Sequence, residues 1–549
     1  MPLAYPILFA AAPPLFVASR SGGQYDASDL AVVVATIVLT TALVVAAVFG
    51  VLVRWNRTAG TPSLAAALAM IPIAWLFYYP AAHNAAARIA PAGTPAALFT
   101  ALGLILTLVA VIWLLCQPPP RLFVVGSFLN LFAVLLLVFI AIPAVLTEAR
   151  AAQATNDSRL AHELAQPMRV TGAPATGRNT RPPDIYLIVL DGHANNRVMR
   201  EVFGVDNSAF EDRLRSLGFL VPDDMRSNYV QTYLSLASLL NASHLTQLSG
   251  DGGVASTDHS LAAYLVRHNR VARFLKAQGY RYVLVPSAWW AATASSPLAD
   301  HVVDVRPGFD LAAELYRTEL RVAVLRSTLL RFVLPRHDGS MPLATHFFRS
   351  VERLAELPAD PAPVFAFAHI LLPHIPYVVD EQCRPLTQQI ADWMEADTPE
   401  QRAAYIAQMR CVDTVILDLV DRLLRRSSTP PVILIVGDHG PRFMDIDFYG
   451  HPERVSTAFI RERFGAFGAF YLPADGGARF QEPVTLVNVL RHVLRHYFQA
   501  DLPPAPNDMY VSGQQLYRFY RVAPERYARS DQVNPAAVAP RTAITPSVR

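Results

Sequence analysis

Long apolar runs crowd the first quarter of the chain, and short apolar runs separated by polar spacers fill the remainder. Leu30–Val53, Leu64–Tyr79, Ala96–Cys116 and Leu122–Leu146 each approach or exceed the roughly 20 residues that a helix needs to cross a bilayer. An earlier stretch, Leu3–Val17, carries Pro6, Pro13 and Pro14 and has no positively charged leading segment. It reads as a short or irregular first span rather than a secretory leader. Residues 1–147 are therefore expected to form a helical transmembrane domain of about five helices.

Residues 148–183 are polar and without sustained periodicity, which predicts a juxtamembrane helix followed by a flexible linker. Beyond them the period changes. Tyr186–Leu190, Tyr282–Val285, Val364–Ala368 and Val432–Val436 are short apolar runs, alternating with helical patterns at Leu261–Gln278, Glu400–Arg426 and Val484–Phe498. Strands apolar on both faces belong to parallel sheets covered on both sides. Residues 184–521 are thus expected to form one α/β domain with a mainly parallel central sheet and helices on both faces. The segment 522–549 reads as a disordered tail.

Composition adds a direction to this picture. Hydrophobic residues make up 52% of the chain, with the excess at the front. A net charge of +3 without any basic block points away from a nucleic-acid partner. Arg54, Arg57 and Arg121 lie in two of the loops between apolar runs. Placing both loops in the cytoplasm puts everything after Leu146 on the outer side. Of the three cysteines, Cys116 lies in an apolar run, whereas Cys383 and Cys411 lie in the polar half. Export of that half would allow those two to pair; two free thiols are the alternative.

The candidate chemistry sits where the short apolar runs end. Ile433–Gly440 reads I-L-I-V-G-D-H-G, a buried strand that stops at Asp438 and His439. Ligands bind outside the carboxyl ends of strands in open α/β sheets, and Asp and His are both metal-ligand types. The same design recurs as Ile185–Gly192, which ends in Asp191. Thr232 opens an apolar helical stretch in Q-T-Y-L-S-L, where its hydroxyl is either a helix cap or, beside a metal, a nucleophile. His369 and His374 follow the third strand in H-I-L-L-P-H-I-P-Y, and His451 follows in Y-G-H-P. Arg442, close to the Asp438–His439 pair, has the charge to neutralise an anionic group.

These motifs, in the order I-V-L-D-G, Q-T-Y-L-S-L, H-I-P-Y and G-D-H-G, resemble the alkaline-phosphatase/sulfatase superfamily over roughly Pro182–Pro503. The nearest likeness is to its membrane-anchored branch, the phosphoethanolamine transferases and lipoteichoic-acid-type phosphoglycerol transferases. The resemblance implies a sulfatase/alkaline-phosphatase-like fold and one divalent metal, Zn²⁺ or Mn²⁺, with a second ion as an option. It assigns Asp191, Asp438, His439 and the Thr232 oxygen to the metal and makes Thr232 the nucleophile. His374 and His451 are carried over as catalytic groups. His369, Arg442 and Ser235, which follows the nucleophile by three places, are taken as substrate-binding. The implied partners are a phospholipid donor and an envelope glycan or lipid acceptor, at a bacterial plasma membrane, with the catalytic domain extracytoplasmic.

The chain departs from that branch in two places. Its first strand ends in Asp191 where the transferases carry Glu, and Gln231, Tyr233 and Leu234 replace the small or Cys-flanked surroundings of the nucleophile. The Cys/Ser-x-Pro-x-Arg pattern of formylglycine sulfatases is matched nowhere. Cys383-Arg-Pro-Leu-Thr387 lacks its Arg and lies downstream of H-I-P-Y. The expected reaction is therefore head-group transfer through a threonine. The alternatives are a phosphodiesterase or sulfatase with water as acceptor, and an inactive membrane scaffold. Acceptor specificity is expected in loops such as Trp289–Pro307.

Overall fold

The structure, a computed structural model, describes residues 4–528 except 20–26, 55–60, 90–95, 173–180, 288–290, 306–317, 333–339, 358–360, 391–396, 428, 445, 475, 477–479 and 481. Trp289 and Trp290 lie outside the described residues. The chain forms two compact units, one of Met1–Arg150 with Glu314–His337, the other of Ala151–Ala313 with Asp338–Arg549.

Among the described residues of the first unit, four helices are long and apolar enough to cross a membrane: Ser28–Arg54, Pro62–Ala86, Leu98–Cys116 and Pro119–Pro143. Their outward side chains, such as Leu39, Leu43 and Phe139, are large, apolar and exposed. Water would penalise such a surface; lipid does not. The short helix Tyr5–Ser19 packs its buried face, including Tyr5, Phe9 and Ala10, within this unit. The contribution of Glu314–His337 is invisible in the sequence, because E-L-R-V-A-V-L-R-S reads like any amphipathic core helix. Its helix Glu319–Ser327 is capped by Thr318, and Arg321 pairs with Asp29 at the start of the first long helix, at 2.8 Å.

The second unit is built on a six-stranded sheet. Its strands are β1 (Ile185–Leu190), β2 (Arg281–Val285), β3 (His301–Val302), β4 (Val364–Ile370), β5 (Val432–Gly437) and β6 (Gly468–Tyr471). Their order is β3-β2-β4-β1-β5-β6, all parallel except the edge strand β6. This is the mainly parallel sheet that the apolar runs predict. Side chains alternate between two cores. Ile185, Leu187 and Val189 face one, under the helices Thr232–Asn241, Ser260–Arg267, Arg270–Ala277 and Leu486–Phe498. Tyr186, Ile188 and Leu190 face the other, under Ser208–Ser216, Ser340–Ala355 and Pro399–Arg426.

Three boundaries differ from the sequence expectation. The helix expected over Leu261–Gln278 breaks, because the Asn269 side chain accepts the backbone N–H of Ala272 and starts a new helix. The region expected to be linker contributes Leu160, Leu164 and Met168 to the first core. The expected tail begins later than residue 522, since Val522 and Tyr527 are buried and the Arg226 guanidinium lies 4.1 Å from the Tyr527 ring centroid. In the last two cases local polarity concealed a tertiary partner.

Cys383 and Cys411 are joined in a disulfide that closes a segment of 28 residues. A loop of that length constrains the unfolded chain, so replacing both cysteines by serine is expected to lower stability by about 3 kcal/mol. Thermal unfolding of the variant, beside the wild type with and without reductant, checks this.

Candidate active site

Parallel register assembles the site. Leu190 of β1 lies opposite Ile370 of β4 on one side and Gly437 of β5 on the other. Adjacent strands are about 4.8 Å apart, so residues leaving the three strand ends at one level must meet. Asp191, His369 and Asp438 do so, with ligand atoms all within 4.8 Å of one another and all three side chains buried. His369 Nε2 lies 3.4 Å from Asp191 Oδ2. His439 Nε2 lies 3.1 Å from Asp438 Oδ2 and 3.7 Å from Asp191 Oδ1.

Proton placement decides what this cluster wants. His439 Nδ1 donates to the Gly440 carbonyl at 3.0 Å, which leaves the lone pair on Nε2, the atom facing both carboxylates. Burial, followed by the Arg463 charge, holds its pKa well below the usual imidazole range. Burial likewise pushes His369 down to about 4, while Thr293 Oγ1 holds its Nδ1 at 3.0 Å. Asp438 Oδ1 accepts the backbone N–H groups of Gly192 and His439, yet its buried Oδ2 accepts no hydrogen bond. Burial and then the neighbouring Asp191 push the Asp438 carboxyl up to about 7. Two buried acids beside the ring nitrogens of His369 and His439 form an arrangement that a divalent cation relieves, and the mixed O/N donor set suits Zn²⁺ or Mn²⁺.

Thr232 is the first residue of its helix, and Gln231 occupies the cap position without a side-chain cap bond. The Thr232 hydroxyl is therefore not a cap: its oxygen lies 3.0 Å from His439 Nε2. His374 Nδ1 donates to the Ile375 carbonyl at 2.7 Å, and burial lowers its pKa. Its ring centroid is 6.3 Å from that of His439. His374 and Arg442 line a small cleft, together with Gly192, Tyr377, Tyr405, Tyr449 and Arg463.

Three expectations are corrected. His369 sits with Asp191 and Asp438 among the candidate metal ligands, not on the substrate side, because β4 runs on to Ile370 and keeps it at strand-end level. Ser235 is buried and donates to the Tyr229 carbonyl at 2.9 Å, one turn into the helix. His451 is exposed beside Glu453 at 3.6 Å and does not join the cluster.

Sequence reasoning missed Arg463. It is buried, and it donates to the carbonyls of Val230 and Gly440 and to His439 Nε2 at 3.0 Å. T-A-F-I-R-E-R-F looks like an exposed charged helix. The only hint was Gly440: a Cβ there would meet the Glu462 carbonyl at 1.8 Å, so only glycine lets this helix approach. His193 was missed too. Its Nε2 lies 2.7 Å from Asp413, behind the Asp191 turn, which Tyr405 also braces by donating to the Gly192 carbonyl.

Buried Glu462 accepts the N–H groups of Phe443 and Met444, and burial raises its carboxyl from 4.5 to about 7. The folded state thus keeps a proton that the unfolded chain releases. Its stabilising contribution is complete below pH 4.5 and is lost as pH rises through 7. Glu462→Gln is expected to reduce the fall in thermal stability between pH 5 and pH 8, by roughly 3 kcal/mol at most.

Residues 203–462 match the Sulfatase family model, a span that holds Thr232, His369, His374, Asp438 and His439. The chain carries a sulfatase-family domain. The match falls on the stretch whose strand-end motifs resemble that family. The solved structures it is similar to include the zinc complex of the C-terminal periplasmic domain of EcEptC from Escherichia coli. That pair is 12% identical over 64% of this chain and 94% of that one, with a TM-score of 0.42. Lipooligosaccharide phosphoethanolamine transferase A from Neisseria meningitidis is 11% identical over 90% of this chain and 95% of that one, with a TM-score of 0.37. Phosphonate monoester hydrolase of Agrobacterium radiobacter is 11% identical over 60% and 80%, also with a TM-score of 0.37. No curated protein matches this sequence.

Proposed function

We propose that this protein is a metal-dependent, membrane-bound transferase that moves a phospho-head-group from a lipid donor to an envelope glycan or lipid through Thr232. The observation that supports it is the placement of one hydroxyl, that of Thr232, at the end of a helix and 3.0 Å from His439 Nε2, beside two buried carboxylates. Asp191, Asp438, His369 and His439 are the residues that would hold a divalent cation. When bound, such an ion supplies charge neutralisation and lowers the pKa of a neighbouring hydroxyl.

In the first half-reaction the Thr232 oxygen forms a bond to phosphorus while the bond from phosphorus to the lipid oxygen breaks. The Thr232 hydroxyl releases its proton to water and recovers one when it is displaced in the second half-reaction, while the departing lipid alcohol takes one up. His374 is placed to deliver it: Nδ1 is tied to a carbonyl, so Nε2 is the nitrogen that exchanges protons. In the second half-reaction, neutral His374 takes the proton of the acceptor hydroxyl as that oxygen displaces Thr232 from phosphorus. Arg442 and Arg463 line the cleft and stabilise charge on the phosphoryl oxygens.

The orientation follows the charged loops. Asp29, paired with Arg321, and Asn84, 3.4 Å from Arg331, both contact the returning segment within the helical unit. Counting successive spans puts those two ends on the side where the last long helix exits, which is the outer side if Arg54 and Arg121 are cytoplasmic. The disulfide suits an oxidising compartment. Incubating the purified protein with head-group-labelled phospholipid and an envelope extract tests the function. Label on Thr232 and then on a glycan or lipid is the expected result; free head group alone would make the enzyme a hydrolase.

A further inference from the structure

The turn that carries His374 is poor in hydrogen-bond donors of its own. Pro373 and Pro376 flank it, and proline has no N–H to offer the carbonyls of a buried turn. Gln408, fully buried on the helix Pro399–Arg426, supplies the missing donors. Its Nε2 donates to the Pro373 carbonyl at 3.1 Å and to the His374 carbonyl at 3.0 Å, with the Pro376 carbonyl at 3.4 Å. Its Oε1 accepts the Val378 N–H at 2.7 Å. One carboxamide thus ties both sides of the His374 turn, through its donor and its acceptor. Tyr405, three residues earlier on the same helix, donates to the Gly192 carbonyl at 3.0 Å. The two turns meet, since a Cβ at Gly192 would lie 3.7 Å from His374 Cα. This one helix therefore sets the His374 turn against the Asp191 turn.

We propose that Gln408 is a positioning residue for proton transfer: it fixes the turn that keeps the His374 ring in the cleft. The inference rests on the reading of His374 as the group that protonates the departing lipid oxygen. In that step His374 Nε2 gives its proton to this oxygen while the bond from the oxygen to phosphorus breaks and the Thr232 oxygen bonds to phosphorus. A misplacement of about 1 Å is enough to slow such a step about a hundredfold. Gln408 acts through the turn alone, for it is not among the described residues that line the cleft. The Cys383–Cys411 disulfide ties the same helix to the hairpin that follows the turn, a second fastening that does not involve the carboxamide.

The test uses full-length, metal-loaded protein in detergent, with phosphatidylethanolamine and phosphatidylglycerol, each beside the p-nitrophenyl phosphodiester of the same head group. Nitrophenolate leaves without taking up a proton, whereas a lipid alkoxide needs one. Gln408→Met keeps the length of the side chain and removes its hydrogen bonds. It is expected to lose about a hundredfold in kcat on the phospholipid and about threefold on the nitrophenyl ester. His374→Ala should show the same split, and adding Gln408→Met to it should cost little more on the phospholipid. Equal losses on the two leaving groups would make Gln408 a purely structural residue and overturn the proposal, as would no loss at all. If His374→Ala shows the split and Gln408→Met does not, the positioning role alone falls. If His374→Ala shows no split, or the wild type turns over none of the probes, the reading of His374 falls and takes this inference with it. Hydrogen exchange gives a second measure that needs no turnover. Residues 371–379 should exchange about tenfold faster or more in Gln408→Met while β1 keeps its protection, and unchanged exchange there would also overturn the proposal. Should Gln408→Met not fold, Gln408→Glu, which retains the acceptor for Val378, is read by the same leaving-group split.

Discussion

Thr232→Ala loses turnover by about a thousandfold or more, the scale on which removal of a covalent nucleophile acts. The fold should hardly notice. Thr232 sits in the first turn, where its hydroxyl is bonded to His439 rather than to the helix, and the buried packing of that helix is carried by Leu234, Leu236, Leu239 and Leu240. A shift in stability within about 1–2 kcal/mol is expected, as for a substitution that deletes one hydroxyl and one methyl group. Thr232→Ser keeps an oxygen in place and should retain activity within about tenfold. Initial rates on labelled phospholipid, with mass spectrometry of the Thr232 peptide for a phosphoryl adduct, separate these outcomes. Full activity in Thr232→Ala would remove the threonine from the mechanism.

Chelation destabilises the wild type but leaves Asp438→Asn unmoved. A ligand present at 100 times its dissociation constant stabilises a fold by about 2.7 kcal/mol, so stripping a tightly held ion should lower the melting temperature by several degrees. Asp438 is the residue to change because its Oδ1 is anchored by two backbone N–H groups and its Oδ2 points, without a hydrogen bond, toward His439. Asn at this position keeps one acceptor oxygen but removes the charge. Metal content of the variant should drop to about a tenth or less. In the metal-free state Asp438→Asn should melt at or above the wild-type temperature, because it relieves two neighbouring buried acids. Equal metal content in the two proteins, by elemental analysis, would overturn the assignment.

The sheet was readable because its information is local. A short run such as Ile185–Leu190, apolar on both faces, can only be a covered strand, and the residue after it must emerge at the strand end. For that reason Asp191, Asp438 and His439 were found together, with His374 and Thr232 near them. The errors also have a common cause. His451 and Ser235 follow recognisable motifs, yet whether a side chain reaches the cluster depends on loop paths and helix rotation that no motif records. His369 was assigned to the wrong side because the length of β4 was underestimated by two residues at its end, Ile370 rather than Ala368.

The amino-acid sequence by itself determined the apolar spans, four strands of the parallel sheet and the acids and imidazole at their ends, since each depends on periodicity along one short segment. Tertiary structure alone decided that Arg463 reaches His439 from a distant helix, that His193 and Asp413 brace the Asp191 turn, and that Glu314–His337 returns to the helical unit. Those outcomes join segments far apart in the chain. Their energy comes from burying a charge or an apolar face against a partner that local pattern cannot see.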